Sequence, residues 1–184
     1  GRYILYRNLG GGKFRDVTRS SGLTGRGWST GAAFADYDGD GRIDLYVSHY
    51  VDHDATSPPL PRPGSLKNCF YKGTPVLCGP GGLKPSIGRL FHNEGKGLFK
   101  DVTRAAGLVT VPTGYGLGAV WSDLDLDGDP DLLVANDTTP NWLYRNDGRG
   151  RFTEIGGMAG AAYNEEGRAQ SGMGVASGDY DNDG

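Results

Sequence analysis

The chain has 184 residues, of which 33 are glycine, and its formal net charge is −3. This length suffices for one ordinary domain with a core, and the glycine content indicates many short elements joined by tight turns. No apolar run approaches the roughly 18 residues of a membrane span, no signal peptide is visible, and the basic residues are too scattered for a nucleic-acid-binding surface.

The first predicted element is a β-hairpin over residues 5–17, and it recurs over residues 90–102 and 143–155. In each copy an Asn stands six residues before a Phe, and a Gly-rich turn separates two short alternating strands. This pattern is typical of β-hairpins. A repeat of this kind is the best guide to the fold.

Each hairpin leads to a predicted strand of small residues, at 31–35, 118–122 and 174–178. An Asp-rich loop comes next, and apolar strands at 44–48 and 131–135 follow the first two loops. Four-stranded units, with one strand of side chains small enough to crowd an axis, favour the blades of a β-propeller. We therefore expect an all-β fold, a partial β-propeller of four-stranded antiparallel blades.

The domain prediction treats residues 1–184 as a fragment of one propeller. The outer hairpin of a preceding blade is expected at 1–28, and a blade at 29–108 with an insertion at 52–88. A second blade is expected at 113–160 and the start of another at 171–184. A propeller normally closes with about four to eight blades, so we expect open ends and low stability for this fragment alone.

The three Asp-rich loops hold twelve of the 22 acidic residues. Each loop has Asp at positions 1, 3 and 5 and Gly at position 6, and the first two have Asp at position 9 as well. Two carboxylates about 4 Å apart repel by about 1 kcal/mol even in water. A hard divalent cation removes this repulsion, and Ca²⁺ matches an all-oxygen ligand set best. The candidate carboxylate ligands are Asp36, Asp38, Asp40 and Asp44, then Asp123, Asp125, Asp127 and Asp131, and finally Asp179, Asp181 and Asp183.

An EF-hand loop begins in the same way, but it needs Glu at position 12 and flanking helices. Position 12 is Val47 in the first loop and Val134 in the second, and the flanking segments resemble strands. The EF-hand is therefore excluded. We expect the ion to have a structural role, because a loop filled by protein oxygens leaves little room for a substrate.

These units resemble FG-GAP/VCBS repeats, the calcium-binding blades of integrin α-subunit propellers and of many secreted bacterial proteins. Residues 69–80, 135–146 and 163–174 also resemble bacterial relatives of cartilage acidic protein, in which an ASPIC/UnbV domain follows the propeller. The resemblance implies that position 7 contributes a backbone carbonyl, from Arg42 and Asp129. The third loop would have its ninth position at residue 187, so we expect it to bind weakly.

The insertion contains seven of the ten prolines, and residues 55–93 include five basic residues and no acidic one. We expect it to form no regular strands and to project from one face. A disulfide between Cys69 and Cys78 is favoured over a zinc site, because His49, His53 and His92 lack finger-like spacing, and it would indicate an oxidising compartment. The loop that carries Phe70, Tyr71 and Lys72 either contacts a partner or only covers the neighbouring blade.

No common catalytic motif occurs, so we expect no enzyme activity in this chain. The favoured function is an extracellular, periplasmic or cell-surface calcium-binding module for adhesion or protein recognition, with an unidentified protein or glycan partner. The alternative is a propeller that binds carbohydrate or degrades polysaccharide as a lyase. Trp28, Trp121 and Trp142 do not recur at one repeat position, which weighs against a lectin.

Overall fold

The computed structural model describes residues 2–25, 27–52, 56, 69–76, 79–80, 83–109 and 113–181. Twelve strands and one short 3-10 helix, Thr18–Ser20, make up this part of the chain. The strands are β1 (Tyr6–Asn8), β2 (Phe14–Asp16), β3 (Ser29–Ala35), β4 (Asp44–His49), β5 (Cys69–Tyr71), β6 (Thr74–Val76), β7 (Arg89–Asn93), β8 (Phe99–Asp101), β9 (Gly116–Ser122), β10 (Asp131–Asn136), β11 (Trp142–Asn146) and β12 (Phe152–Glu154).

Two four-stranded antiparallel sheets have the same strand order. The first runs β3-β4-β7-β8 and the second runs β9-β10-β11-β12, while β1 and β2 form a separate hairpin. Within each sheet the first two strands flank an Asp-rich loop and the last two form the repeated hairpin. The prediction of an all-β partial propeller with four-stranded antiparallel blades is confirmed, and the two sheets are called the first and second blade below.

The inner strands of the two blades, β3 and β9, lie against each other. The hydroxyl of Thr30 donates to the carbonyl oxygen of Gly116 over 2.7 Å. A Cβ on Gly31 would lie 2.9 Å from the carbonyl oxygen of Leu117, too close for any real side chain. The strands are rich in small residues because the two backbones approach this closely.

The third small-residue segment lies beside β9 but is not a strand. A Cβ on Gly118 would lie 3.3 Å from the Cα of Gly174 and 3.4 Å from the backbone nitrogen of Val175. No strand is assigned after residue 154 within the described residues, so the strand predicted at 174–178 is wrong for this structure. Although β9 lies close to this segment, no strand among the described residues forms a hydrogen-bonded ladder with it.

The main core lies between the two blades. Its buried residues are Tyr37, Tyr46, Leu90, Ala106, Leu108, Leu132, Val134, Trp142, Tyr144 and Phe152. A second cluster lies on the other face of the first blade and is formed by Leu23, Leu45, Val47, Phe91 and Phe99, with Tyr3 and Leu5 packed against it. The first blade is therefore covered on both faces, by the second blade and by the segment that precedes it.

The insertion contains a short hairpin, in which β5 pairs with β6 from Cys69 opposite Val76 to Tyr71 opposite Thr74. The expectation that it forms no regular strands is therefore wrong. Lys72 and Gly73, with φ of 49° and 80°, make the tight turn that permits the pairing. Cys78 and His53 lie outside the described residues, and so does the predicted disulfide. The described residues include no helix long and apolar enough to cross a membrane.

Candidate metal centre

The first Asp-rich loop is shaped by hydrogen bonds from its own backbone. The carboxylate of Asp36 accepts the backbone N–H of Asp40 over 3.1 Å and that of Gly41 over 2.8 Å. Asp40 in turn accepts the backbone N–H of Arg42 over 2.8 Å. These bonds wind the loop into a tight turn with its carboxylates on the inside.

The second loop, 87 residues further along the chain, repeats this pattern bond for bond. Asp123 accepts the backbone N–H of Asp127 over 3.1 Å and that of Gly128 over 3.0 Å. Asp127 accepts the backbone N–H of Asp129 over 3.0 Å. Two separate sequences therefore fold into the same carboxylate-rich turn.

The Asp at position 9 is buried in both loops and closes the turn. Asp44 accepts the backbone N–H of Tyr37 over 3.3 Å, and Asp131 accepts that of Leu124 over 3.2 Å. Burial raises the pKa of both carboxyls, although the hydrogen bonds that they accept oppose the shift. A raised pKa means that the negative charge at these positions is unfavourable without a nearby cation.

The repeated hairpin Asn joins the hairpin to the loop, a role that sequence reasoning missed. The backbone N–H of Asn93 donates to Asp44 over 2.7 Å, and its side-chain amide donates to the carbonyl of Ile43 over 2.9 Å. Asn146 makes the equivalent bonds to Asp131 over 2.8 Å and to Pro130 over 3.1 Å. The recurrence of Asn six residues before Phe was the available signal.

The carboxylates converge on one point in each of these two loops. In the first loop, ligand oxygens of Asp36, Asp38 and Asp44 lie within 4.8 Å of one another. In the second loop the converging oxygens belong to Asp123, Asp125 and Asp127, at positions 1, 3 and 5. Asp131 at position 9 is not part of this group.

One observation indicates that a cation suits the first loop. Oδ1 of Asp38 is buried and has no hydrogen-bond partner within the part of the chain that the structure describes. A buried carboxylate oxygen without a partner is costly, and a cation would satisfy it. Because the donors are carboxylate oxygens, the chemistry of the set fits Ca²⁺.

The remaining predicted ligands are less well placed to bind a metal ion. The guanidinium of Arg42 forms an ion pair with Asp40, and its Nε donates to the carbonyl of Asn93 over 2.8 Å. Burial acts to raise the pKa of Asp40, but the hydrogen bonds and charge of Arg42 outweigh it and lower the pKa. In the third loop Asp179 and Asp181 are exposed, and Asp183 lies outside the described residues.

His92 also lies at the first loop, although the sequence analysis considered it only as a ligand of the zinc site that was rejected for the cysteines. Its Nε2 is 3.1 Å from Oδ2 of Asp38 and 3.3 Å from Oδ2 of Asp40. These three side chains form another group whose ligand atoms lie within 4.8 Å of one another. The imidazole comes from β7, so only the pairing of the strands brings it to the loop.

Comparison with known proteins identifies a family and a relative. The family model described as FG-GAP-like repeat matches residues 1–47 and 123–184. Cartilage acidic protein 1 of Mus musculus is 27% identical over 172 residues, an alignment that covers 76% of this chain and 26% of that protein. The chain therefore spans about a quarter of the length of this curated relative.

Proposed function

Since the chain belongs to the FG-GAP-like repeat family, we propose that it is a non-catalytic recognition module whose propeller blades are stabilised by calcium. The observation that carries the proposal is the convergence of carboxylates in two loops with identical hydrogen-bond patterns. The protein surface beyond the loops is then available to a partner. We propose a protein partner outside the cytoplasm, at a cell surface or in the extracellular or periplasmic space.

The proposed ligands of the first ion are the carboxylates of Asp36, Asp38, Asp40 and Asp44 with the carbonyl of Arg42. Those of the second ion are Asp123, Asp125, Asp127 and Asp131 with the carbonyl of Asp129. A bound calcium ion would supply positive charge to each loop. The chain's own contribution is to position the oxygens through the backbone bonds of Asp36 and Asp123.

Calcium at these positions would stabilise the blades and take no part in a reaction. Each loop joins the inner strand of its blade to the next strand, and the position-9 Asp is tied to the hairpin. An ion that holds the loop therefore holds three strands of the blade together. Binding to the folded state alone raises stability by about 2.7 kcal/mol when the free ion is at 100 times its Kd.

We also propose that Cys69 and Cys78 form a disulfide that closes a loop within the insertion. Such a disulfide accords with a location outside the cytoplasm. Lys72 is exposed at the turn of the β5–β6 hairpin, where a partner could reach it. Alkylation of the protein under non-reducing conditions, followed by mass spectrometry, tests the pairing. Two alkylated thiols would contradict it.

Thermal unfolding tests the structural role of calcium. The melting temperature should rise with Ca²⁺, return to its starting value with EDTA and respond little to Mg²⁺, because Mg²⁺ demands stricter octahedral geometry and dehydrates reluctantly. A melting temperature that is the same in EDTA and in millimolar Ca²⁺ would contradict the proposal. A glycan array scored with and without EDTA then separates a protein partner from a carbohydrate partner.

A further inference from the structure

The first loop differs from the second in one neighbouring side chain. His92 in β7 directs Nε2 at Asp38 and Asp40, with separations of 3.1 and 3.3 Å. Arg145 in β11 holds the equivalent position in the second blade, because Asn93 and Asn146 occupy matching places next to it. The ligand group of the second loop contains only carboxylates.

The distances around His92 suit a small ion with a nitrogen ligand. A tetrahedral zinc ion with ligands at about 2.0–2.1 Å separates neighbouring ligand atoms by roughly 3.3 Å. Both measured separations from Nε2 are close to this value. Oδ1 of Asp38, the oxygen that does not face His92, is buried and has no hydrogen-bond partner among the described residues, so this carboxylate can still accept a cation.

A third carboxylate lies on the other side of the imidazole. Oε1 of Glu94 is 3.6 Å from Nδ1 of His92. Metal-binding histidines commonly direct their other nitrogen at a carboxylate, which fixes the ring and raises the basicity of the ligand nitrogen. At 3.6 Å this contact is electrostatic and is not a hydrogen bond, so Glu94 places negative charge beside His92 without fixing the ring.

Arg42 is the competing cation at this place. Its ion pair with Asp40 is partly exposed, with side-chain exposures of 46% and 22%. Exposed ion pairs of this kind contribute little to stability, far less than a metal ion does in a typical zinc site. A metal ion can therefore displace the guanidinium from Asp40.

We propose that the first loop binds Zn²⁺ through Asp38, Asp40 and His92, whereas the second loop accepts only cations that prefer oxygen. Imidazole favours zinc, and calcium takes oxygen ligands, so the two loops differ in selectivity. The inference rests on the proposed role of the loops as metal sites. Because Asp38 belongs to both ligand groups of the first loop, zinc and calcium compete there and not in the second loop.

Calorimetric titration of the chain with Zn²⁺ in calcium-free buffer tests this inference. The wild type should bind one zinc ion, and His92→Gln should weaken zinc binding at least tenfold. Arg145→Gln alters the equivalent position of the second blade and should leave zinc affinity within about twofold. Side-chain NMR of the wild type supplies a readout that needs no variant: of the three histidines, His92 should shift most on addition of zinc.

Absence of zinc binding, or equal affinity in His92→Gln, would overturn the zinc site. A largest shift at another histidine would overturn it too. Calcium titration of the same chain separates this failure from failure of the proposed function, because the second loop lacks the imidazole. Calcium binding at the second loop without zinc binding at the first would refute only the zinc inference. Zinc binding that depends on His92, with no calcium binding at either loop, would refute only the calcium proposal.

Discussion

The side-chain amide of Asn146 donates a hydrogen bond to the backbone carbonyl of Tyr37 over 2.7 Å and so joins the second blade to the loop of the first. The backbone N–H of Asn146 also donates to Asp131 in the second loop over 2.8 Å. One buried residue therefore contacts both candidate metal loops. The side chain of Asn93, its counterpart in the first blade, donates to Ile43 in its own blade.

Asn146→Ala should destabilise the chain by about 1–3 kcal/mol, because it leaves the carbonyls of Tyr37 and Pro130 without their donor. Asn93→Ala is the matched control and should cost less, because Asn93 is more exposed and its side-chain amide serves one carbonyl. Urea unfolding of both variants measures the difference. Equal losses would show that the contact between blades contributes nothing.

Trp121→Ala should destabilise the chain by about 2–4 kcal/mol. The indole lies nearly parallel to the ring of Tyr37, with centroids 6.1 Å apart and planes at 12°, and its Nε1 donates to the carbonyl of Ala33 over 3.2 Å. Phe34→Ala is the control at the same repeat position, where the ring is 53% exposed and a loss below about 1 kcal/mol is expected. Urea unfolding of the two variants should reproduce this order, and the reverse order would contradict the packing described between the blades.

Gly107→Ala should be more destabilising than Gly160→Ala. Both glycines have positive φ, 95° and 76°, so alanine is strained at either position. A Cβ on Gly107 would also lie 2.7 Å from the carbonyl oxygen of Phe152, whereas no atom of the described residues lies within 4 Å of a Cβ on Gly160. The difference in melting temperature between the two variants measures the effect of the close approach to Phe152. Similar melting temperatures would contradict this effect.

Stability should fall between pH 6.5 and pH 4 through protonation of His49. Burial lowers the pKa of His49 from 6.5 to about 4, and the charge of Arg89 acts in the same direction. The folded state therefore favours the neutral ring, whose Nε2 lies 2.6 Å from the hydroxyl oxygen of Tyr3. This contribution is complete above pH 6.5 and is lost as the pH falls towards 4.

The matched variant is His49→Asn, because Asn136 ends the equivalent strand of the second blade. The free energy of unfolding of the variant should depend less on pH in this window, by a slope of at most about 1.4 kcal/mol per pH unit. Chemical unfolding at several pH values measures it. Parallel pH profiles for wild type and variant would contradict the assignment.

Much of the fold was predictable because each repeat is recognised from patterns of residues that are close together in the sequence. Alternation, the Gly-rich turns and the small residues at 31–35 predicted the strands that the first blade contains. The β5–β6 hairpin was missed, because the prolines around it masked the turn at Lys72 and Gly73. A strand at 174–178 would need a partner strand to pair with, and the local sequence does not indicate whether such a strand is present.

The site was predictable only in part, for the same reason. The Asp spacing predicted which carboxylates share a loop, since those contacts are local. His92 and Asn146 reach the loops through strand pairing and blade packing, over 54 and 109 residues of sequence from Asp38 and Tyr37. Spacing within a motif carries no information about such partners.

Calcium titration by calorimetry tests the central claim most directly, together with Asp38→Asn and Asp125→Asn. No hydrogen bond within the described residues ties either carboxylate to the backbone of its loop, so these substitutions should remove a ligand without unwinding the turn. We expect two calcium ions per chain, one fewer in each single variant, and little heat with Mg²⁺. A chain that binds no calcium, or variants that bind as much as the wild type, would contradict the account.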